Sequence, residues 1–542
     1  MAFCSQVASA LALLAASAAE CQRRQRLAAK GQAGSSFGCA AVVEEPVAAL
    51  VPCYLPNEAL IIQETVLHLL HNMTAVERLD VHLVYNTPLE LPVEAELQEL
   101  AQGELPHGRR LFVERVERSC SKAENLNHVI PQVTAKYVAI YDADHQPDPN
   151  SLALAVSQLK ATGVDCVQGS TYIRAGCCLV RSLVQAEFFV TYFLLLPSME
   201  AITGTGFFGG ANGVWLASSL RCLHFDKEAL TEDIDCFARA MLDHGFTFGF
   251  LPESSSGELL PSSLLALWRQ RLRWAMGWDQ VTLRYAGRFW HAPLSLRKRL
   301  GLYYIFAFRW LTQLLVAVMA IFSATASARH LLARIVEDRP PHLHVPECIH
   351  RLQLWSTGLY AVFVLFALLR ALCHQPGLRL PGGVLLYFVT LPLYVLFNTA
   401  LLTVSLVRLA GGSTGKWVVT TRSLPAPAAS SAQPIVNKPP HPQPRQEPLL
   451  GERPSRAASC VLAFGFVAQG LLVGCLVGYS FAQRTKVYPL WGWVPFGIGA
   501  TTVTYTDGRV VVLGMASGAG LAVGLLLAHW CLRVLCSRRW GS

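Results

Sequence analysis

Charge is scarce in this chain. Only 15% of its 542 residues are Asp, Glu, Lys or Arg, against 52% apolar residues, and mean hydropathy is +0.36. Soluble globular domains carry about 25% charged residues, so this composition excludes a wholly soluble chain and fits a soluble domain joined to membrane helices. The chain also lacks any CxxC pair among its 16 cysteines, which removes the usual zinc spacing. Cysteines scattered in this way read as reduced, buried thiols. No internal repeat is evident. The formal net charge is +9, yet no basic stripe with interleaved aromatics exists, so nucleic acid is not an expected partner. The cations instead flank apolar runs: Arg297, Lys298 and Arg299 precede one, and Arg533, Arg538 and Arg539 close another. Cytoplasmic ends of membrane helices are marked in this manner. Near the start, the apolar stretch 7–19 has its basic residues after it, at 21–26, where a secretory signal carries them before. A short reverse anchor and an organelle transit segment both remain open for residues 1–44.

What is present falls into distinct blocks. Between residues 45 and 279, short apolar or β-branched runs at 47–51, 81–85, 111–113 and 137–141 alternate with helical spacing, such as Leu60, Thr65, Val66, Leu69 and Leu70. Strands alternating with helices predict an α/β domain with a mostly parallel, covered sheet. Ligands bind such sheets at the carboxyl ends of the strands, and Asp142 to Asp144 directly follow the fourth run. Residues 301–323, 354–373, 384–407, 460–482 and 511–536 are apolar and long enough to span a bilayer. The stretch 490–500 is shorter and reads as interfacial. Residues 424–455, rich in Pro, Ala, Ser and Gln, read as a disordered connector. The aromatic stretch 187–202 ends its helical pattern at Pro197. It fits either a buried core helix or an amphipathic helix on the membrane face of the domain.

Three motifs carry chemistry. Two aspartates one residue apart, Asp142 and Asp144, supply the hard oxygen ligands that Mg²⁺ or Mn²⁺ prefers when positions must stay open for a diphosphate. An acidic turn with Asp148 and Pro149 is the structural alternative. Thr231-Glu232-Asp233 precedes a helical pattern at Ile234, Phe237, Ala238, Ala240 and Met241. Thr231 fits a helix N-cap with acids in the first turn, and Asp233 fits a general base that takes the proton of an attacking hydroxyl. Gln270-Arg271-Leu272-Arg273-Trp274 reads as helical, which places Gln270, Arg273 and Trp274 on one face at i, i+3 and i+4. The Trp ring can stack on a sugar and the Arg can stabilise a leaving diphosphate. A basic interfacial helix anchored by Trp268, Trp274 and Trp278 accounts for the same residues.

In this order, ahead of a membrane-grade stretch, the three motifs resemble the signature of processive family 2 glycosyltransferases. Cellulose synthases, mannan-type cellulose-synthase-like proteins, chitin synthases and hyaluronan synthases make up that group. Val51-Pro52-Cys53-Tyr54 with Asn57-Glu58 resembles its opening strand and loop. Ser121-Lys122-Ala123-Glu124-Asn125-Leu126-Asn127 resembles its nucleotide-binding segment. Phe207-Phe208-Gly209-Gly210-Ala211-Asn212-Gly213 is similar to its acceptor loop, and Trp417-Val418-Val419-Thr420-Thr421-Arg422 to its gating segment. The resemblance covers roughly residues 45–422.

The resemblance implies a GT-A (Rossmann-like) catalytic domain over 45–290 and an α-helical multi-pass membrane region. The membrane parts are 291–423 with the gating segment and 459–542, joined by a linker at 424–458. It implies that Pro52, Tyr54, Glu58, Asn86, Lys122, Asn127 and Asp142 bind the nucleotide and that Asp144 holds the metal, Mg²⁺ or Mn²⁺. Asp233 becomes the base, and Gln270, Arg273 and Trp274 form the acceptor and diphosphate end. Gly209, Gly210, Asn212 and Glu232 join Trp274 at the acceptor, and Trp417, Thr420, Thr421 and Arg422 form the gate. One departure stands out: where the family usually has an aspartate touching uracil, this chain has Asn86 and Thr87. The expected partners are a nucleotide-sugar donor, a glycan or lipid acceptor and the bilayer, with room for an accessory subunit. The expected place is the plasma membrane or Golgi, with the catalytic domain cytosolic. If the gate is cytosolic, an even number of crossings must separate Trp274 from Trp417, so 384–407 is expected at the interface or as a re-entrant segment. A non-processive glycolipid synthase and, from another class, an inactive scaffold or transporter are the alternatives to a polysaccharide synthase.

Overall fold

The computed structural model of the chain describes residues 42–174, 179–306, 310, 365, 367–369 and 380–412. Residues 1–41, most of the apolar stretches 301–323 and 354–373, and everything from 413 onward lie outside the described residues. That includes Trp417, Thr420, Thr421, Arg422, the linker and the last two apolar runs.

Strands β1 (Val47–Tyr54), β2 (Leu79–Asn86), β3 (Arg109–Arg115) and β4 (Tyr137–Ile140) form the parallel half of one sheet. Strands β5 (Gln146–Pro147), β6 (Cys166–Ile173), β7 (Gly213–Leu216) and β8 (Phe248–Glu258) complete it, in the order β3-β2-β1-β4-β7-β6-β8-β5. The four runs read from the sequence supply the first four strands. In β1, Val47, Ala49 and Val51 face one core and Ala48 and Leu50 the other. That explains a continuous apolar run with no alternation, because both faces of the sheet are covered.

Helices α1 (Ile62–Asn72), α2 (Pro92–Gln102), α3 (Lys122–Val129) and α4 (Ser151–Thr162) occur in the first half. Further along come α5 (Leu179–Val190), α6 (Leu196–Thr203), α7 (Glu232–His244), α8 (Leu264–His291), α9 (Leu296–Phe306) and α10 (Leu380–Ala410). Ile62 and Val66 of α1, Leu97 of α2 and Leu152 and Val156 of α4 pack on one face of the sheet. Leu126 of α3, Phe237 and Met241 of α7, Phe289 of α8 and Phe306 of α9 pack on the other. Each such side chain, taken fully out of water, contributes about 1.5–3 kcal/mol. Leu60, expected on the buried face of α1, lies before the helix and is 74% exposed; Ile62 takes its place.

The antiparallel strands correct the simplest reading of the sequence. β7 runs against both β4 and β6, and β5 runs against β8. The helical pattern at 187–202 also does not stop at Pro197. A π-helical turn, Thr191–Leu195, joins α5 to α6, and the proline falls in the first turn of α6. Proline has no N–H to donate, and a π-turn is a recognised way to absorb such a break. The combined helix is doubly packed. Val184 and Phe188 meet Ile173 and Leu260, while Ala186, Phe189, Val190 and Leu194 meet Val384, Tyr387 and Phe388 of α10.

Residues 384–407, expected at the interface or as a re-entrant segment, lie within α10, which is unbroken over 31 residues. Among the described residues one helix, Leu179–Ala201, is long and apolar enough to cross a membrane by length and composition. Of five free cysteines described, Cys53, Cys166 and Cys236 are buried as expected, whereas Cys120 and Cys222 are exposed.

Candidate active site

Parallel strands end together, so the residues just beyond them become neighbours. Pro52 and Tyr54 at the end of β1 lie opposite Val84 and Asn86 at the end of β2. Asn86 is buried and its Oδ1 accepts from Asn125 Nδ2 at 2.9 Å; the same amide also donates to the Cys53 carbonyl at 3.3 Å. Glu58 folds back on its own turn, accepting from the Tyr54 backbone N–H at 3.1 Å and from Asn57 Nδ2 at 2.9 Å. Asn125 was not singled out from the sequence. Its place three residues after Lys122 on α3 was the available signal.

The Asp142–Asp144 turn leaves the end of β4. Its backbone is braced by α1, where Thr65 Oγ1 donates to the Ala143 carbonyl at 2.7 Å. Asp144 is fully buried and its Oδ2 accepts from the Leu259 N–H at 3.0 Å. Oxygens of Asp142 and Asp144 and a ring nitrogen of His145 lie within 4.8 Å of one another. The donor set fits a hard divalent cation through its two carboxylates. His145 fits less well as a ligand. Its Nδ1 meets Ser256 Oγ at 3.0 Å and its Nε2 faces Glu258 at 3.4 Å. Burial alone would lower the His145 pKa, but Glu258 and the two aspartates reverse this, and the net shift is upward.

Lys122 joins these elements. Ser121 caps α3, its side chain accepting from the Glu124 N–H, and this holds Lys122 at the first helical position. Its Nζ donates to Asp142 Oδ1 at 2.5 Å and to the Gly210 carbonyl at 3.2 Å, and lies 3.7 Å from Glu232. Four motifs separated by up to about a hundred residues thus meet at one ammonium. Desolvation opposes its charge, but Asp142, Glu232 and Asp233 outweigh that and raise its pKa.

Asp233 begins α7. Thr231 occupies the N-cap position, yet its hydroxyl makes no capping bond; its side chain instead fills the space that a Cβ on Gly277 would need, at 2.4 Å. The Asp233 carboxyl is pushed up to about 7, first by burial and then by Glu232, against the opposing pull of Lys122, the Ile234 N–H and Arg273. Gly210 packs on it. Gly210 has φ +87°, and a Cβ there would lie 2.5 Å from Asp233 Oδ2 and 3.0 Å from its Cβ and Cγ. Gly210→Ala is therefore expected to cost about 1–3 kcal/mol in backbone strain and to displace the carboxylate. A thermal unfolding midpoint and a transfer assay on the same preparation check both effects.

The neighbouring Gly209 N–H donates to Gln168 Oε1 at 2.8 Å. Asn212 is fully buried with φ +53°, and its Nδ2 bonds the Ser170 and Ser254 carbonyls at 2.8 Å each. It splices β6 to β8 where their register shifts. Asn127 lies outside this cluster; its amide clamps the Phe225 N–H and carbonyl, both at 2.8 Å.

Helix α8 carries Gln270 to Trp274, as expected, starting behind Ser263, whose Oγ accepts from the Ala266 N–H. The face that was expected to act together is divided. Gln270 is buried, and Arg273 Nη1 donates to the Leu230 carbonyl at 3.0 Å, beside the Thr231–Asp233 turn. Trp274 turns the other way, with the Arg271 guanidinium 4.4 Å from its ring centroid. Arg271 also pairs with Glu187 at 3.1 Å. These residues, with Ala275, Trp278, Asn398 and Leu401, line a cavity of about 250 Å³ bounded by α5, α8 and α10. Sequence reasoning missed Arg271 and Glu187. Spacing of 271, 274, 275 and 278 was a signal for a second stripe on α8. It also missed Asp235, buried and bonded to Arg239, Arg284 and Tyr285, which ties α7 to α8.

Residues 45–277 match the family model described as glycosyltransferase like family 2. Glucomannan 4-beta-mannosyltransferase 7 of Arabidopsis thaliana is 30% identical over 268 residues, 47% of this chain and 48% of that protein. A poly-beta-1,6-N-acetyl-D-glucosamine synthase of Staphylococcus epidermidis is 26% identical over 190 residues, 35% of this chain and 45% of that one. Among solved structures, the mannosyltransferase PcManGT from Pyrobaculum calidifontis, in complex with GDP-Man and Mn²⁺, aligns with a TM-score of 0.40. It is 18% identical, over 75% of this chain and 98% of that chain. The chain spans about half the length, or less, of the curated relatives it matches. The match to the family 2 glycosyltransferases thus spans residues 45–277, and the mixed, mostly parallel sheet is a GT-A, Rossmann-like domain.

Proposed function

We propose that the chain transfers a sugar from a UDP- or GDP-sugar to the growing end of a β-linked polysaccharide, with inversion at the anomeric carbon. The observation that carries this reading is the convergence on Lys122 of Asp142, Gly210 and Glu232, with Asp233 against Gly210. Donor-side and acceptor-side motifs thereby become one site. Asp233 acts as general base. A carboxyl whose pKa lies near 7 can accept a hydroxyl proton at neutral pH. The acceptor oxygen forms its bond to the anomeric carbon as the bond to the nucleoside diphosphate breaks. The proton passes to Asp233, and the diphosphate leaves with the bonding pair. One direct displacement inverts the centre.

Asp144, with Asp142, would hold Mg²⁺ or Mn²⁺, which supplies neutralisation of the leaving diphosphate. Tyr54 and Asn86 at the ends of β1 and β2, Glu58 on the turn after β1 and Lys122 at the start of α3 would bind the nucleotide. Asn86 offers a neutral amide to the base. The acceptor end would draw on Gly209, Gly210, Asn212 and Glu232, with buried Gln270 and with Arg273 beside the turn that carries Asp233, while Trp274, on the other side of α8, would meet the acceptor from the cavity it lines. Residues 45–290 would form the cytosolic catalytic domain of a multi-pass membrane protein. The apolar helices would conduct the product, and Trp417, Thr420, Thr421 and Arg422 would close over the donor.

The test uses membranes containing the full chain, with Mg²⁺ or Mn²⁺ and a panel of radiolabelled UDP- and GDP-sugars. Products are split into insoluble polymer and extractable lipid. Label in polymer supports the reading and names the donor; label in lipid replaces the polymer with a glycolipid product. Chelation by EDTA is expected to abolish transfer, and added Mn²⁺ or Mg²⁺ to restore it. Asp144→Asn is expected to raise the metal concentration needed for half-maximal rate.

A further inference from the structure

Asp279 lies on α8, five residues beyond Trp274, and is fully buried. It faces the apolar helices instead of the sheet. Its Oδ1 accepts from Trp310 Nε1 at 2.8 Å and its Oδ2 from Ser405 Oγ at 2.5 Å. Ser405 is itself fully buried, on α10. Two segments beyond the catalytic domain therefore meet one carboxylate, and neither of these two donors is charged.

The neighbourhood suggests what it does. Around it, α10 meets α8 through Leu401, Leu272 and Met276, with Trp268, Phe397, Val404 and Leu409 at the margin. A seam of Leu, Met and Phe does not choose its own register, because neighbouring registers bury similar area. A buried polar contact does, because a slip leaves it without partners. Sliding α10 by one residue shifts it about 1.5 Å and turns each side chain about 100°. Leu401 would leave Leu230, whose carbonyl accepts from Arg273 and whose chain runs on into Thr231, Glu232 and Asp233. Asn398 and Leu402 would leave the wall of the cavity beside Trp274.

We propose that Asp279 is a positioning residue that sets the register of α10 against α8. It thereby fixes both the cavity wall next to Trp274 and the turn that carries Asp233. The catalytic half of this inference rests on the transferase reading above; the register half does not.

The experiment compares the purified full chain in detergent as wild type, Asp279→Leu, Asp279→Asn and Ser405→Ala, together with the Asp279→Leu/Ser405→Ala double variant. GDP-mannose and UDP-N-acetylglucosamine are the donors. Transfer and donor hydrolysis are followed separately. Misplacement remote from the chemistry can cost up to about a hundredfold in rate. Asp279→Leu is expected to lower kcat for transfer by about tenfold or more, with donor KM and donor hydrolysis within about twofold of wild type. Asp279→Asn keeps a carbonyl acceptor for Trp310 and is expected to recover most of the rate. Unfolding midpoints supply the readout that does not need activity. Ser405→Ala is expected to lower the midpoint by a few degrees in the wild-type background and not in Asp279→Leu. Absence of that coupling would overturn the inference whatever the enzyme's reaction. So would wild-type transfer by Asp279→Leu, an Asn variant as impaired as the Leu variant, or equal loss of donor affinity and rate. Coupling without transfer from either donor would uphold the register and overturn its catalytic half.

Discussion

Asp233→Asn is expected to lower kcat for sugar transfer by about 10²–10⁴-fold, the range associated with a lost general base. The wild-type rate is expected to fall about tenfold per pH unit on the acidic side of about 7, because the base must be deprotonated and burial beside Glu232 holds its pKa there. The variant should lose that limb. Inactivity through unfolding predicts something different. A carboxyl whose folded pKa is raised binds more protons folded than unfolded, so its contribution to stability falls as pH rises from the ordinary carboxylate range through about 7. Asp233→Asn removes that penalty, and its unfolding midpoint at pH 8 should be no lower than wild type. An inactive variant with an undiminished midpoint assigns the loss to chemistry.

Lys122→Met is expected to have the second-largest effect, about tenfold to a hundredfold in kcat/KM. Lys122 is 21% exposed and is 2.5 Å from Asp142 and 3.7 Å from Glu232. Removing it leaves Asp142, Glu232 and Asp233 facing one another without their shared cation. Breaking a fully buried pair costs about 3–5 kcal/mol, and residual solvation reduces that here. Part of the loss has a distinctive form. Lys122 lowers the Asp233 pKa, so its removal raises that pKa further and withdraws base from the active form at neutral pH. The loss should therefore shrink as the assay pH is raised.

Much of the site was legible because local signals and global topology agree. β1, β2 and β4 are β-branched or apolar runs with residues in the cores on both faces of the sheet, β3 closes the edge with one face exposed, and parallel strands deliver the residues at their carboxyl ends to one edge. Asp142 and Asp144 could be placed there from the sequence alone. The position of Thr231 before α7 was legible too, but its use was not. A threonine before two acids reads as a cap, whereas the approach of Gly277 turns it into a packing contact between α7 and α8.

Long-range partners were the illegible part. Nothing local in Gly213–Leu216 announces a strand between β4 and β6; its pairing depends on Asn212, whose N–H reaches the Ile140 carbonyl and whose carbonyl accepts from Gly169. Asn127 looks like a nucleotide ligand by motif, yet Phe225, nearly a hundred residues away, engages its amide. The division of α8 into a Gln270 and Arg273 side and an Arg271 and Trp274 side arises from the groups packed on each. Leu230 stands on one side, and Glu187 with α10 on the other.

The central claim is that motifs scattered from residue 121 to residue 233 form one electrostatic unit around Lys122, with Asp233 as its working base. A pH–rate profile of wild type and Lys122→Met, run side by side on the donor that the panel identifies, tests it most directly. The account predicts an acidic limb near pH 7 in the wild type and the same limb displaced to higher pH in the variant. A limb that stays in place, or a wild-type profile flat between pH 6 and 8, would contradict it.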